Sequence, residues 1–328
     1  MSTPPRTKVS VVVPIYNVEE YLYTFLDSIR KNLCDDIEVI LINDGTKDNC
    51  GVIIDDFAAN NSAYVKVIHK RNGGQSSARN VGIKVAKGDY VICFDPDDYI
   101  SDTCIKELIS AVNKFENPDM IIFDMKIGNN ESGFETANIT DLEEGIITQE
   151  RFLYELTKNR GLNSSFANKL IKRSVFNNVM FREGVRYFED YECMTNIALL
   201  MKRVVYVKKV VYYYVMRDDS VTHTAGIKHL IEYYGFIKQR NEKFSSVISQ
   251  MSIYGLVEAA LSVLVGVYKN NINIDVTEQE MLIRKNIFRL LFSSEYNLNE
   301  KKKFVLIYLG LAKSYYKSRY HTRCRGCF

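Results

Sequence analysis

The sequence contains no tryptophan and no apolar run near the roughly 18 residues that a membrane-spanning helix needs. Its longest apolar runs, such as residues 304–312, reach about half that length. Residues 1–8 lack the apolar core of a signal peptide and lead directly into a strand-like run. The seven cysteines are odd in number and scattered, which argues against a disulfide framework. We therefore expect a cytoplasmic protein.

Net charge is low, at +3, and it is unevenly distributed. Residues 299–328 contain eight lysines and arginines against Glu300 alone. The basic character therefore belongs to the tail, and we expect no nucleic-acid partner. With 46% hydrophobic and 25% charged residues, the composition is that of a globular protein. A length of 328 residues allows a principal domain with a smaller appendage.

Strand-like apolar runs alternate with helical spacing over the first 124 residues. The predicted strands are 9–15, 37–42, 64–68, 90–94 and 119–124, and the predicted helices are 19–31, 49–60, 76–86 and 102–115. Because the strands are apolar all round, the pattern predicts a mostly parallel sheet with helices on both faces. Ligands bind such sheets at the carboxyl ends of the strands.

The pattern loosens beyond residue 124. It predicts a hairpin or loop at 128–140, helices at 149–158 and 190–201, strands at 204–207 and 210–216, and about four helical segments between 228 and 318. Strand signals cease near residue 225. We therefore predict a catalytic domain of residues 1–225, followed by a smaller all-helical domain of residues 226–328.

Three carboxylates follow the strand that ends at Phe94, namely Asp95, Asp97 and Asp98. Like charges this close raise one another's pKa unless a cation or hydrogen-bond donors compensate them. Oxygen ligands with open positions suit Mg²⁺ or Mn²⁺, which also hold substrate phosphates. A solvated acidic turn or a helix cap is the alternative interpretation.

Two further motifs fall at or near strand ends. Residues 43–46 place the carboxylate of Asp44 where it can accept hydrogen bonds from a base or a ribose, although the same residues suit a turn. Residues 72–82 open a helix with Gly73 and Gly74, and Arg79 lies near its start. Free backbone donors beside a cation predict an anion-binding loop. A glycine turn with a serine cap is the alternative.

In this order and spacing, the motifs resemble those of the family 2 glycosyltransferases, which have the GT-A nucleotide-sugar fold. The matching residues are Pro14-x-Tyr16-Asn17, Asn43-Asp44-Gly45-Thr46, Asn72-Gly73-Gly74-x-Ser76-x-Ala78-Arg79-Asn80-x-Gly82 and Asp95-x-Asp97-Asp98. The resemblance extends through Asn168-Lys169-Leu170, Phe188-Glu189-Asp190-Tyr191 and Tyr214-x-x-Arg217-x-x-Ser220-x-Thr222. Two positions depart from the family pattern: Pro96 stands where Ser is usual, and Asn43 where Asp is usual.

The resemblance implies a role for eleven residues. Those that would contact the nucleotide sugar are Pro14, Tyr16, Asn17, Asp44, Arg79, Asp95, Glu189 and Arg217. Asp97 and His223 would hold Mn²⁺ or Mg²⁺ on the diphosphate, and Asp190 would be the catalytic base. For Glu189 and Asp190 the alternative is an acidic helix start, which the helix dipole favours. For His223 the alternative is an exposed or structural histidine.

The implied function is a metal-dependent, inverting transfer of a single hexosyl or N-acetylhexosaminyl group. A UDP-sugar would be the donor and a hydroxyl of a glycan or lipid-linked saccharide the acceptor, in bacterial surface polysaccharide synthesis. A processive polysaccharide synthase is disfavoured, because such enzymes add membrane spans and a Gln-x-x-Arg-Trp motif to this domain. The chain has no apolar run long enough for a span and no tryptophan. A nucleotidyltransferase is disfavoured because Pro14–Asn17 follows the first strand instead of a basic glycine-rich loop. A non-catalytic sugar-nucleotide-binding or scaffold protein is the alternative.

The basic tail carries a separate prediction. Residues 301–317 read as one helix with Phe304, Tyr308, Leu311, Ala312 and Tyr315 on one face. Peripheral membrane contact through residues 299–328 at the inner face of the cell membrane is one use of that face. Packing on the fold and self-association into a homo-oligomer are the others.

Overall fold

The computed structural model describes residues 9–129, 133–136, 142–158, 162–185, 187–217 and 226–321. Their contacts divide into two compact units, one within Met1–Ser220 and the other within Val221–Phe328. The catalytic and accessory roles assigned above to residues 1–225 and 226–328 stay predictions.

One ten-stranded sheet forms the centre of the first unit. Its strands are β1 (Val9–Ile15), β2 (Ile37–Asn43), β3 (Val65–His69), β4 (Tyr90–Cys93), β5 (Tyr99–Ile100), β6 (Met120–Asn129), β7 (Gly133–Thr136), β8 (Gly145–Ile147), β9 (Lys169–Lys172) and β10 (Val204–Val215). The order is β3-β2-β1-β4-β9-β6-β10-β5, and β7 and β8 pair with β6 and β10. The pairs β3–β2, β2–β1, β1–β4 and β6–β10 are parallel, whereas the remaining pairings among the described residues are antiparallel.

Helices flank this sheet, as the apolar strands require. They are α1 (Glu19–Arg30), α2 (Cys50–Asn60), α3 (Gln75–Val85), α4 (Cys104–Lys114), α5 (Gln149–Lys158) and α6 (Glu189–Leu200). Every residue of β1 and β2 is buried. Gly82 brings α3 close to β1, because a Cβ there would lie 2.5 Å from Cγ1 of Val12. The predicted α/β fold with a large flanked sheet is confirmed.

Several local predictions needed correction. The two strands predicted at 204–207 and 210–216 are the single strand β10, which has an irregular register near Val207 and Val210. Strand β7 pairs antiparallel with β6, so the hairpin predicted at 128–140 is present in its described part. Strands β5, β8 and β9 were not predicted, because none of them contains an apolar run of more than two residues.

Every regular element among the described residues of the second unit is a helix. Its helices are α7 (Ile227–Ser245), α8 (Tyr254–Lys269), α9 (Thr277–Lys285), α10 (Ile287–Phe292), α11 (Leu298–Tyr308) and α12 (Ala312–His321). Among the described residues of the whole chain, no helix combines the length and apolarity needed to cross a bilayer.

The single helix predicted for residues 301–317 is wrong. Helix α11 ends at Tyr308, and α12 begins at Ala312 after a turn through Gly310, whose φ of +72° favours glycine. The predicted common face is also divided, since Phe304 and Ala312 are buried whereas Tyr308 and Leu311 are 46% and 51% exposed. Because the helix is interrupted near Gly310, the apolar residues that reach the core differ from those predicted for one continuous helix.

Candidate active site

The donor motifs predicted from sequence lie at the carboxyl ends of β1, β2 and β4. Asp44 directly follows β2, and its backbone N–H donates to the carbonyl of Ile15 at 2.9 Å. Phe94 directly follows β4, and its backbone N–H donates to the carbonyl of Val12 at 3.1 Å, which positions Asp95 next to the end of β1. Parallel pairing therefore gathers these loops at one edge of the sheet.

The carboxylate of Asp44 is the anion that the glycine loop holds. It accepts N–H groups from Gly73 at 3.0 Å and Gly74 at 2.8 Å, and it pairs with the ammonium group of Lys70. The predicted anion-binding loop therefore binds an anion of the chain itself, the carboxylate of Asp44. Contact between Asp44 and a base or a ribose stays a prediction.

Asn17 joins the loop after β1 to the loop after β2. Its φ of +52° is left-handed, a region that asparagine tolerates better than most residues. Its Oδ1 accepts the N–H of Lys47 at 2.9 Å and the hydroxyl of Thr46 at 3.1 Å. Beside it Tyr16 is 40% exposed, whereas Pro14 is buried within β1. Their predicted contacts with the nucleotide stay predictions.

Arg79 connects two of the predicted functional carboxylates. Its guanidinium lies near the start of α3 and is only 2% exposed. Nη1 donates to Oδ1 of Asp190 at 2.6 Å, and Nη2 donates to Oδ1 of Asp95 at 2.9 Å. The ring of Phe181 stacks against it, with its centroid 5.2 Å from Cζ. One cation thus connects a strand end to the start of α6.

The cluster around Arg79 holds more negative than positive charge. Glu189 lies 4.0 Å from Nη1, so three carboxylates surround one guanidinium. Burial, reinforced by Asp190, raises the pKa of Glu189 to about 7, although Arg79 opposes this. Burial also raises the pKa of Asp190 against the same opposition. Burial alone would lower the pKa of Arg79, but Asp190 and Asp95 outweigh it and raise that pKa. The surplus of carboxylates favours binding of a further cation.

Asp190 retains one oxygen for chemistry. Its contact with Nη1 of Arg79 uses Oδ1, and in the described part of the chain no hydrogen bond engages Oδ2. The preceding Phe188 has a φ of +64°, a strained conformation for a bulky residue. This bend starts α6 with Glu189 and Asp190 side by side next to Arg79.

Asp97 faces Arg217. The two side chains form an ion pair, and the guanidinium also lies over the ring of Tyr21, with its carbon 4.3 Å from the centroid. Two residues with separately predicted roles, metal and nucleotide-sugar binding, are therefore in direct contact. His223 lies outside the described residues, and its predicted role as a metal ligand stays a prediction.

Asp98 is structural in this arrangement. It is buried, accepts the hydroxyl of Tyr212, and accepts the N–H of Val215 at 2.8 Å. These bonds fix the end of β10, two residues before Arg217. Burial raises the pKa of Asp98 to about 7, against the effect of both hydrogen bonds.

The residues present fit a divalent ion shared with a substrate. No group of three or more His, Cys, Asp or Glu side chains in the described ranges is arranged to hold a metal by itself. Mg²⁺ commonly uses one or two carboxylates and completes its shell with water and substrate phosphates. Asp97 supplies such a carboxylate, and it already pairs with one positive group, the guanidinium of Arg217. A diphosphate would have to provide the remaining ligands.

Lys169 is a buried lysine for which no role was predicted from the sequence. It begins β9, is fully buried, and donates to the carbonyl of Ser165 at 2.7 Å and to Oδ1 of Asn168 at 2.9 Å. Burial lowers the pKa of Lys169 to about 7, and the negative charge of Asp190 only partly opposes this. Gln75, which donates to Asp95 at 2.9 Å, was missed as well, although it lies within the quoted glycine motif.

We expect Lys169→Met to flatten the dependence of stability on pH. The unfolded chain keeps the lysine proton to about pH 10.4, whereas the folded chain releases it near pH 7. Wild-type stability therefore rises with pH between these values, by up to about 1.4 kcal/mol per pH unit. Urea unfolding at several pH values measures the difference. Lys228→Met, at a 90% exposed side chain, is the control, and equal slopes in the two variants would contradict the assignment.

Two solved protein structures have a fold similar to that of this chain. Staphylococcus aureus TarS, residues 1–349, crystallised with UDP-GlcNAc, superposes with a TM-score of 0.59, at 19% identity, covering 96% of this chain and 92% of that one. A mannosyltransferase from Pyrobaculum calidifontis, in complex with GDP-Man and Mn²⁺, gives a TM-score of 0.51, at 14% identity, covering 98% and 88%. The fold is therefore that of a GT-A glycosyltransferase.

Sequence comparison identifies the family. The model of glycosyl transferase family 2 matches residues 10–180, and the chain belongs to this family. The glycosyltransferase GlyG of Streptococcus pneumoniae is 32% identical over 66% of this chain and 73% of its own length. The minor teichoic acid biosynthesis protein GgaB of Bacillus subtilis is 30% identical over 64% of this chain, but the match spans only 23% of GgaB.

Proposed function

We propose that the protein moves one sugar from a UDP-sugar to a saccharide hydroxyl, with inversion at the anomeric carbon. The observation that carries this proposal is the double contact of Arg79 with Asp95 and Asp190. It places a carboxylate with a free oxygen beside the strand-end motifs that the resemblance associates with the donor. An inverting transfer needs such a base on the acceptor side of the reacting carbon.

In the proposed reaction Oδ2 of Asp190 accepts the proton of the acceptor hydroxyl. The oxygen of that hydroxyl bonds to the anomeric carbon as the bond to the donor's diphosphate breaks, and the diphosphate leaves with the electron pair. Arg79 holds Oδ1 at 2.6 Å, which orients the carboxylate during this step. Burial and the nearby charge of Asp95 raise the pKa of Asp190 although Arg79 opposes this, and a raised pKa favours proton uptake by the base.

Mn²⁺ or Mg²⁺ would be held by Asp97, with His223 as a second ligand. When bound, such an ion supplies Lewis-acid stabilisation of the charge on a departing diphosphate. Arg217 contacts Asp97 and can support the same diphosphate with its guanidinium. The Mn²⁺ in the mannosyltransferase neighbour supports this assignment.

The donor and acceptor are proposed more broadly. UDP-GlcNAc in TarS supports a UDP-linked hexose or N-acetylhexosamine. GgaB is described as a protein of minor teichoic acid biosynthesis, which supports an acceptor among bacterial surface polymers, free or lipid-linked. We place this activity in the cytoplasm, at the inner face of the membrane where the acceptor is lipid-linked. Homo-oligomer formation is compatible with this activity but not required for it.

Calorimetry with UDP tests the donor site directly. We expect UDP to bind with Mn²⁺ present and to bind at least about tenfold more weakly to Asp97→Ala, because that variant loses a protein ligand of the shared ion. Asp102→Ala, which removes an exposed carboxylate a few residues away, is the control.

Two results would contradict the proposal: no UDP binding with or without metal, and binding that is indifferent to Asp97→Ala. Hydrolysis of the bound UDP-sugar, measured on the same samples, separates a transferase from a non-catalytic sugar-nucleotide-binding protein. A protein that binds the donor but never releases UDP under any acceptor screen would favour that alternative.

A further inference from the structure

The most exposed large apolar side chains of the second unit include three that lie close together in sequence. Met281 on α9 is 63% exposed, and Phe288 and Phe292 on α10 are 71% and 86% exposed. Exposure of more than two thirds of two phenylalanines within five residues is unusual, because each could otherwise bury a large apolar area. The apolar residues of the same segment that are buried are Ile283, Ile287 and Leu290.

These exposed residues share one helical face with basic residues. Only Asn286, whose φ of −108° and ψ of 11° interrupt the helix, separates α9 from α10. A spacing of about 100° per residue carried across it places Met281, Lys285, Phe288 and Phe292 within an arc of about 60°. Arg289 lies about 40° outside this arc, and both basic residues are exposed. Ile283, Ile287 and Leu290 fall on the opposite side, in agreement with their burial. We call Met281, Lys285, Phe288, Arg289 and Phe292 the α9–α10 surface.

The charge of this segment has one sign. Residues 281–294 contain Arg284, Lys285 and Arg289 but no aspartate or glutamate. Arg284 pairs with Glu280 at 3.2 Å, whereas within the described residues no ion pair engages Lys285 or Arg289. Over residues 226–321 the second unit carries fourteen lysines and arginines against eight acidic residues. The exposed apolar face is therefore bordered by cations that are available to an anionic partner.

A second copy of the chain suits this surface poorly. A two-fold contact would place Lys285 and Arg289 of both copies against one another, with no acidic residue in residues 281–294 to offset them. An anionic lipid surface meets both requirements, since its headgroups pair with lysine and arginine while phenylalanine and methionine enter the boundary with the acyl chains.

We propose that the α9–α10 surface attaches the protein to anionic lipid bilayers. The segment differs from residues 299–328, in which membrane contact was predicted from sequence. In that tail Phe304, Ala312 and Tyr316 are buried, so fewer apolar side chains reach solvent than the sequence pattern indicated. The proposal does not depend on the catalytic one, because attachment requires neither donor nor acceptor.

Co-sedimentation of the full chain with vesicles tests the proposal. We expect binding to vesicles of phosphatidylcholine with phosphatidylglycerol, weaker binding to phosphatidylcholine alone, and weakening of the former at high salt. Lys285→Gln with Arg289→Gln should weaken binding by about fivefold per charge removed. Phe288→Ser with Phe292→Ser should weaken it at least about tenfold, through the lost apolar area.

Two control pairs match these variants. Tyr23→Ser with Val52→Ser removes side chains that are 66% and 72% exposed in the first unit, and Lys313→Gln with Lys317→Gln removes two exposed tail charges. Both should bind like the wild type. Thermal melting verifies that all variants are folded.

Three results would overturn the proposal: unchanged binding in both α9–α10 pairs, loss of binding in the tail pair alone, or equal binding to neutral and anionic vesicles. A fall in molar mass by light scattering in the phenylalanine pair, with unchanged vesicle binding, would assign the surface to self-association. An inactive enzyme that still binds anionic vesicles as expected would reject the catalytic proposal and leave this one standing.

Discussion

Asp190→Asn is expected to reduce sugar transfer by about 10²- to 10⁴-fold, the usual contribution of a general base. Asparagine keeps the shape of the side chain and can still accept the hydrogen bond from Arg79. It cannot take the proton of the acceptor. The loss should therefore appear in turnover, while the affinity for UDP with Mn²⁺ changes little. Steady-state kinetics and calorimetry on the same preparation measure the two quantities.

Glu189→Gln is the matched comparison for this variant. Glu189 precedes Asp190 at the start of α6 but lies 4.0 Å from Arg79, outside hydrogen-bond distance. We expect it to lose less activity than Asp190→Asn. If Asp190→Asn retains more than about a tenth of wild-type turnover, the base is another residue, and Glu189 is the first candidate.

Arg79→Gln should lower the free energy of unfolding by about 3–5 kcal/mol, the usual cost of removing one partner from a buried ion pair. The guanidinium is 2% exposed, and its loss leaves Asp95, Glu189 and Asp190 facing one another without a counter-charge. Protonation relieves this repulsion, so the destabilisation should be smaller at pH 5 than at pH 8. Urea unfolding at both values measures it.

Arg30→Gln provides the control, because Arg30 also pairs with an aspartate, Asp27, but is 65% exposed. Exposed pairs contribute roughly 0–1 kcal/mol, so this variant should unfold almost like the wild type. Arg79→Lys should fall between the two, since lysine keeps the charge but cannot contact Asp95 and Asp190 with two nitrogens. Equal stability of Arg79→Gln and Arg30→Gln would show that the cluster does not need its cation.

The parallel half of the sheet could be predicted from sequence because most of its strands are continuous apolar runs. Strand β1 was predicted with its observed limits, Val9–Ile15. Strand β9 could not be, because only two of its four residues, Leu170 and Ile171, are apolar, and its place between β4 and β6 depends on partners distant in sequence. In the tail, the turn at Gly310 was missed because the apolar spacing continues across it.

The site was predictable as a set of residues but not as a set of contacts. Asp95, Asp190 and Arg79 were selected from their motifs, and the structure brings them together across 111 residues of sequence. Nothing in the local pattern indicated that Asp44 would bind the amides of Gly73 and Gly74, or that Arg217 would meet Asp97. Such pairings depend on how the loops fold over the strand ends.

The internal bond between Asp44 and the glycine loop has a consequence for the direction in which a nucleotide enters. Amides at the start of a helix commonly receive a phosphate. Here the amides already donate to a carboxylate of the chain, with which Lys70 also pairs, so a phosphate would find no free donor in the loop. We therefore expect an incoming nucleotide to turn its uncharged base toward Asp44 and its diphosphate toward Arg217. The orientation of the bound nucleotide would then be set by Asp44, which need not contact the phosphates.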